Sequence, residues 1–152
     1  MSKKLFGIAL CTLLFGQSLS AQAQQATKIP RIGYLGATSP TATAARLDAF
    51  KQGLRELGYV EGKSILIDYR WAEGKLDRIP GLAAELVRLN VDVIVTAGPA
   101  DTKGAKQATS TIPIVMGFDN DPIGNGFVAS LARPGGNITG LSTLAPEISG
   151  KQ

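Results

Sequence analysis

Three short segments of this sequence carry side chains suited to binding a small molecule. Each follows a run of apolar residues and combines small residues with hydroxyl, amide or carboxyl groups. Small residues let a ligand approach the backbone closely, while hydroxyls, carboxylates and backbone N–H groups supply directional hydrogen bonds. The candidate ligand-binding residues are Ala37, Thr38 and Ser39, then Thr96, Ala97 and Gly98, and finally Asp119, Asn120 and Asp121.

Structural roles compete with binding at several of these positions. The hydroxyl residues of the first segment could simply end a loop and cap the next helix. Asp121 before Pro122 has the arrangement that starts helices, so a structural role is favoured there. Asp119 shows no comparable structural role in the sequence. Trp71 lies near the end of a predicted strand, and packing is favoured over a role as a stacking platform.

The inventory of reactive side chains argues against catalysis. The chain has no histidine and a single cysteine, Cys11, so a Ser-His-Asp triad, a Cys-His pair and an ordinary zinc site are excluded. The stretch GPADTKGAK resembles a phosphate-binding loop but places Lys103 where that motif requires glycine. Acid/base chemistry by Asp119 and Asp121 stays a weak alternative, because no evident nucleophile lies nearby. No cofactor is predicted.

The first 23 residues have the layout of a secretory signal peptide. Two lysines precede an apolar run from Leu5 to Phe15, and Ala21-Gln22-Ala23 supplies a small-x-small cleavage site. The run is shorter than the roughly 20 residues that span a bilayer. We therefore expect cleavage after Ala23 and a periplasmic product, with residues 24–30 as a polar spacer. Charges of both signs are interspersed along the remaining chain, which argues against binding of nucleic acid.

Short apolar runs alternate with longer amphipathic ones, which is typical of an α/β domain with a parallel sheet. The helix after the first strand has Leu47, Phe50, Leu54 and Leu57 on one face, and Gly58 follows as its C-cap glycine. Strands are predicted at 31–35, 64–71, 91–98, 114–118 and 138–141, and helices at about 47–57, 79–89, 100–108 and 122–131.

Burial patterns indicate the order of these strands. Residues 64–71 alternate apolar and polar side chains, as an edge strand does, whereas 91–98 is nearly continuously apolar, as a central strand is. The prediction is a doubly wound parallel five-stranded sheet in the order 2-1-3-4-5. Its crevice opens at the carboxyl ends of the first and third strands, where the three polar segments converge.

Four stretches of the chain carry a family resemblance. These are RIGYLG, FKQGLRELGYVEGKSILIDYRWAEG, LAAELVRLNVDVIVTAGP and DPIGNGFVASLARPGGNITGLS. They resemble the substrate-binding proteins of ABC transporters with the type I periplasmic binding fold, and more narrowly the group linked to uptake of tryptophan- and tyrosine-like solutes. The similarity runs from Ile29 to Lys151, and the last stretch is its most specific part.

The resemblance implies a two-lobed protein that closes on a small-molecule solute, such as an aromatic amino acid or a related compound, and delivers it to a membrane permease. Residues 31–145 would be the first lobe, 146–152 the start of the crossover into a missing second lobe, and the three polar segments the positions of family ligand contacts. A flavodoxin-like single-domain enzyme or receptor module, or a nonfunctional truncated product, are the alternatives.

The predicted processing can be tested by the intact mass of the protein in the periplasmic fraction of its host. A mass corresponding to residues 24–152 is expected if export and cleavage occur as predicted. A mass that retains residues 1–23 would contradict cleavage after Ala23, and a mass about twice as large, as expected for two similar lobes, would show that a second lobe is present.

Overall fold

A computed structural model describes residues 28–143 of the protein. The predicted signal peptide, residues 24–27 of the polar spacer and the predicted crossover at 146–152 lie outside the described residues. The described part contains five strands, three α-helices and two short 3-10 helices. The strands are β1 (Arg31–Gly36), β2 (Leu66–Trp71), β3 (Val93–Thr96), β4 (Ile114–Asp119) and β5 (Ile138–Ser142), and the helices are α1 (Ala44–Glu56), α2 (Ile79–Arg88) and α3 (Pro99–Ala108).

The five strands form one parallel sheet in the order β2-β1-β3-β4-β5. This confirms the predicted fold class and strand order. The strand β3 is central, and Ile94, Val95 and Thr96 are all buried. The strand β2 lies at an edge, where its partner β1 contributes Arg31, whose guanidinium donates two hydrogen bonds to the Asp68 carboxylate at 2.5 and 3.0 Å.

The two faces of the sheet are covered unequally. On one face α2 and α3 pack against the strands and against each other, and the core there includes the fully buried Leu35, Leu86 and Ile94. On the other face α1 is the only α-helix that packs against the sheet in residues 28–143, and it has no buried residue. At the far edge of the sheet Leu141 of β5 is 69% exposed.

The apolar face predicted for α1 is confirmed for three of its four residues. Leu47, Phe50 and Leu54 pack half-buried against the sheet. Leu57 is 75% exposed because the helix ends at Glu56 and the chain then turns away. Gly58 has a φ of +86°, the left-handed conformation that glycine adopts freely at a helix end.

The helix predicted at 122–131 is wrong, since the segment forms consecutive turns. Asn125 N–H donates to the Asp121 carbonyl, which makes a single helical turn, but the Phe127 and Val128 N–H groups both donate back to the Pro122 carbonyl. Gly126, with a φ of +68°, stops the helix there. The apolar spacing that suggested a helix instead reflects the burial of Phe127 and Val128 in the core.

No helix within residues 28–143 has the length and apolar character needed to cross a membrane. The predicted signal segment lies outside this range.

Two helical glycines provide a matched test of the packing. An alanine Cβ at Gly104 in α3 would overlap Ile79 Cγ2 of α2, whereas nothing lies within 4 Å of one at Gly53 in α1. Gly104→Ala is expected to lower the free energy of unfolding by about 1–3 kcal/mol because it overpacks this interface. Gly53→Ala should raise it by up to about 1 kcal/mol through helix propensity. Urea denaturation measures both, and equal stabilities of the two variants would contradict this packing.

Candidate functional site

The three polar segments lie at one edge of the sheet, where the adjacent strands β1, β3 and β4 end. Backbone hydrogen bonds fix the first two relative to each other and to the loop after β2. Ala97 N–H donates to the Leu35 carbonyl at 3.0 Å, and Gly74 N–H donates to the Ala37 carbonyl at 2.8 Å. The predicted residues are therefore neighbours at the carboxyl edge of the sheet, where ligands bind in open α/β folds.

In the segment after β1, the side chain of Ser39 bonds to groups of the turn that follows it. Its hydroxyl lies 2.9 Å from the Thr41 hydroxyl and accepts a hydrogen bond from Ala42 N–H at 3.3 Å. These contacts begin the short 3-10 helix at Thr41–Thr43. Within residues 28–143 no side chain caps α1, because Thr43 at its start makes no capping hydrogen bond. Ser39 instead bonds within the preceding turn, while Thr38 is exposed and Ala37 is half-buried.

In the segment after β3, the side chain of Thr96 is fully buried. Its hydroxyl lies 2.7 Å from the hydroxyl of Thr102 in α3, which in turn donates to the Gly98 carbonyl at 3.0 Å. This pair ties the end of β3 to the first turn of α3. Ala97 and Gly98 are half-buried, so their backbone is the part of this segment that faces the edge of the sheet.

In the segment after β4, Asp119 has a structural role that its sequence context does not reveal. The side chain is fully buried, and its Oδ1 accepts a hydrogen bond from Asp121 N–H at 2.7 Å. Both carboxylate oxygens also lie close to Asn125 Nδ2, at 3.1 and 3.2 Å. The expectation that Asp119 lacks a structural role is wrong, because its carboxylate holds the following loop in place.

Asp121 and Asn120 are exposed at the tip of the same loop. The Asp121 carboxylate accepts a hydrogen bond from Gly124 N–H at 2.8 Å. This confirms the capping arrangement predicted for Asp121 before Pro122, although it caps a single turn rather than a full helix. Of the nine predicted residues, Thr38, Asn120 and Asp121 present exposed side chains.

An aromatic cluster lies beside the first segment. The ring of Trp71, at the end of β2, packs against Gly36 so closely that an alanine Cβ there would overlap it. Its ring centroid lies 5.3 Å from that of Tyr34 and 6.4 Å from that of Tyr69, with the latter pair stacked at 4°. The prediction that Trp71 packs against its neighbours is confirmed, and it stays half-buried near the carboxyl edge.

A cation also lies at this edge of the sheet. The guanidinium of Arg46, in the first turn of α1, lies over the ring of Phe118 at 5.4 Å from the centroid. This contact joins the start of α1 to the end of β4, and the periodicity of the sequence gives no sign of it.

Asp101, in the first turn of α3, is the residue of this region that sequence reasoning missed. It is 2% exposed, and its Oδ1 has no hydrogen-bond partner within residues 28–143. Burial raises the pKa of Asp101 to about 7, although the nearby backbone N–H groups of Gly98 and Ala97 act in the opposite direction. Ser142 Oγ, at the end of β5, is likewise buried without a partner in the described part of the chain.

A surface cavity of about 670 Å³ lies next to these residues. It is bounded by α3 and the turns at 122–127, and its lining includes Lys103, Lys106 and Phe127 but none of the nine predicted residues. Among residues 28–143, no cluster of three or more histidine, cysteine, aspartate or glutamate side chains could hold a metal ion.

A family model for ABC transporter substrate binding proteins matches residues 35–148, which include all three polar segments. The chain belongs to this family. The resemblance noted in the sequence is thereby confirmed.

Individual substrate-binding proteins show the same relationship. A curated relative, the "Tyrosine-binding protein" of Clostridioides difficile (strain R20291), is 35% identical over 100 residues, which cover 63% of this chain and 29% of the relative. A solved structure of a conserved domain protein from Vibrio cholerae matches with a TM-score of 0.74 and 34% identity, over 78% of this chain and 40% of that chain.

Two further solved structures are described as binding proteins or their complexes. The ABC domain in complex with L-Trp from Streptococcus pneumonia has a TM-score of 0.70 and 31% identity, over 74% of this chain and 38% of that one. A ligand-free, open substrate binding protein with adhesive properties from Clostridium difficile has a TM-score of 0.71 and 27% identity, over 75% and 39%. This substrate-binding family member thus spans less than half the length of these relatives.

The buried carboxyl of Asp101 makes the stability of this substrate-binding lobe depend on pH. Between about pH 4 and about pH 7 the native state holds a proton at Asp101 that the unfolded chain has released. The free energy of unfolding should therefore fall as pH rises through this range, by up to about 1.4 kcal/mol per pH unit, and level off above it. Asp101→Asn should remove this slope, as urea denaturation at a series of pH values would measure.

Two other carboxyl groups act in a different range of pH. Hydrogen bonds from Arg31 and Lys28 lower the pKa values of Asp68 and Asp92, respectively, so their contributions are lost only as pH falls below about 4. Parallel pH profiles for the wild type and Asp101→Asn between about pH 4 and 7 would contradict the assignment to Asp101.

Proposed function

We propose that this chain forms one lobe of the solute-binding component of an ABC-type importer. The complete protein would capture a small molecule in the periplasm by closing two lobes around it, and would then deliver the solute to a membrane permease. The observation that carries the proposal is the family match over residues 35–148. On this proposal the protein acts by binding and hinge closure without chemistry, and residues 1–23 direct its export.

The proposed solute is an amino acid with an aromatic side chain. A relative at 35% identity is named for tyrosine binding, and a solved neighbour at 31% identity holds L-Trp. The half-buried ring of Trp71 packs against Gly36, next to the first polar segment. An aromatic ring favours stacking with an aromatic ligand, and this gives the proposed solute class a physical basis in the chain itself.

The proposed site consists of the nine residues of the three polar segments. Some would contact the solute through side chains, some through backbone groups, and others would hold the loops in place. Thr38, Asn120 and Asp121 would offer side chains, and Ala37, Ala97 and Gly98 would offer backbone groups. Thr96 and Asp119 would act by holding their loops, since their polar atoms are already bonded inside the lobe. Ser39 would contribute through the turn that it caps.

A single lobe is expected to bind its solute weakly. Ligand sites usually bury about 70–90% of the ligand surface, and a two-lobed protein reaches this only when both lobes close. Binding to residues 24–152 should therefore be measured at millimolar ligand by two-dimensional NMR, which detects weak complexes.

L-tyrosine is expected to shift the backbone amide signals of residues 36–39, 71–74, 96–101 and 119–121 in a saturable manner. Trp71 is the only tryptophan of the chain, so its fluorescence should change in parallel when tyrosine itself is not excited. L-leucine, which has an uncharged apolar side chain without a ring, is the matched control ligand and should cause smaller shifts. Absence of saturable shifts at this edge with L-tyrosine, L-tryptophan and other small solutes would refute the proposal.

A further inference from the structure

Asp101 is a buried carboxyl group whose hydrogen bonding is incomplete within residues 28–143. Its side chain is 2% exposed and its Oδ1 has no hydrogen-bond partner within the described residues. Buried polar groups in native proteins are almost always hydrogen-bonded, because leaving one unpaired costs free energy. Asp119, the other buried acid of this edge, follows that rule through Asp121 and Asn125. Oδ1 of Asp101 therefore lacks the partner that such a group normally has among residues 28–143.

The surroundings of Asp101 contain few charges. The backbone N–H groups of Gly98 and Ala97 lie on one side of the carboxyl and oppose the effect of burial. Burial and the negative charge of Asp101 both raise the pKa of Tyr34 in β1, and the positive charge of Arg46 in α1 acts on that pKa in the opposite direction. The Arg46 guanidinium is engaged with the Phe118 ring, so no salt bridge neutralises Asp101 among residues 28–143.

Among the described residues, no side chain fills the space between Gly98 and this carboxyl, although the backbone conformation of Gly98 does not require a glycine. Its φ and ψ are −172° and −177°, an extended conformation open to any residue. The nearest atom to an added Cβ is Asp101 Oδ2, at the ordinary contact distance of 3.8 Å. A side chain at position 98 would fit sterically but would cover the carboxyl. Gly98 is half-buried at the carboxyl edge of the sheet, so its side of the nearly buried Asp101 carboxyl is the one from which a solute would approach.

We propose that Asp101, approached through the space beside Gly98, binds the cationic amino group of the solute. This inference rests on the proposed function and assigns the residue that contacts the ammonium group of the proposed amino acid. An ammonium supplies up to three N–H donors and a positive charge. It would therefore give the unpaired Oδ1 both a hydrogen-bond donor and an opposite charge. A solute carboxylate would meet like charge at the ionised Asp101 and is disfavoured there.

Binding of the ammonium is coupled to a proton. In the free lobe the pKa of Asp101 is about 7, so a large fraction of the carboxyl is protonated near neutral pH. Pairing with a cation favours the ionised form, so the carboxyl proton passes to solvent when the solute binds. The affinity for an amino acid should then fall by about tenfold for each pH unit below about 7.

The direct test compares L-tryptophan with indole-3-propionate, which has the same ring and carboxylate but no amino group. Residues 24–152 should bind indole-3-propionate roughly ten- to a hundredfold more weakly, as expected for loss of a charge-assisted hydrogen bond. Asp101→Asn should weaken binding of L-tryptophan by a similar factor and abolish the preference between the two compounds. Asp77→Asn, in the exposed 3-10 helix before α2, is the matched control and should change neither value.

A second pair of variants tests the approach to Asp101 without altering its charge. Gly98→Ala should keep the lobe folded, as its thermal unfolding would show, yet weaken L-tryptophan binding more than indole-3-propionate binding. Gly53→Ala makes the same chemical change in α1, where nothing lies nearby, and should leave binding unchanged.

The outcomes separate this inference from the proposed function. If the lobe binds both compounds equally, or if Asp101→Asn retains the preference for L-tryptophan, Asp101 is not the ammonium site although solute binding stands. Tighter binding of indole-3-propionate at acidic pH that depends on Asp101 would assign the protonated carboxyl to the solute carboxylate and overturn the proposal. Failure of the wild-type lobe to bind any of these solutes would refute the proposed function and this inference with it.

Discussion

All five strands of the sheet run in the same direction, and this constraint decides where the lobe can present polar groups. Because the strands are parallel, the loops that follow β1, β3 and β4 leave from the same edge. Interior positions of these strands are covered by helices on at least one face, so polar side chains are tolerated mainly where the strands end. The candidate site is therefore a consequence of strand direction first and of residue type second.

Coverage of the two faces explains how far the fold could be read from the sequence. Burial on both faces made 91–98 nearly continuously apolar and identified the central strand, while alternation in 64–71 identified the edge strand. The helix predicted at 122–131 was wrong because Phe127 and Val128 are buried in the core from consecutive turns rather than from a helix. Its two glycines were the contrary signal, and the positive φ of Gly126 shows that they outweighed the apolar spacing.

The position of the candidate site followed from topology, but its hydrogen bonding did not. The hydroxyl of Thr96 bonds to Thr102, and the carboxylate of Asp119 bonds to Asn125. Both pairings depend on how a loop folds back after the strand, which single-sequence periodicity does not encode. Asp101 was missed for a related reason, since an acid in the first turn of a helix is common at exposed helix starts, and only its burial makes it unusual.

The two buried acids at this edge illustrate how one residue type can hold a loop or remain open to a partner. The carboxylate of Asp119 accepts hydrogen bonds from Asp121 N–H and from Asn125 Nδ2. These bonds fix the loop after β4, so the carboxylate is not available to a ligand. Asp101 is equally buried but keeps one oxygen unpaired. The lobe can bear that cost because protonation removes the charge. A partner that supplies positive charge would recover the lost interaction, so the unpaired oxygen is a local instability that binding can relieve.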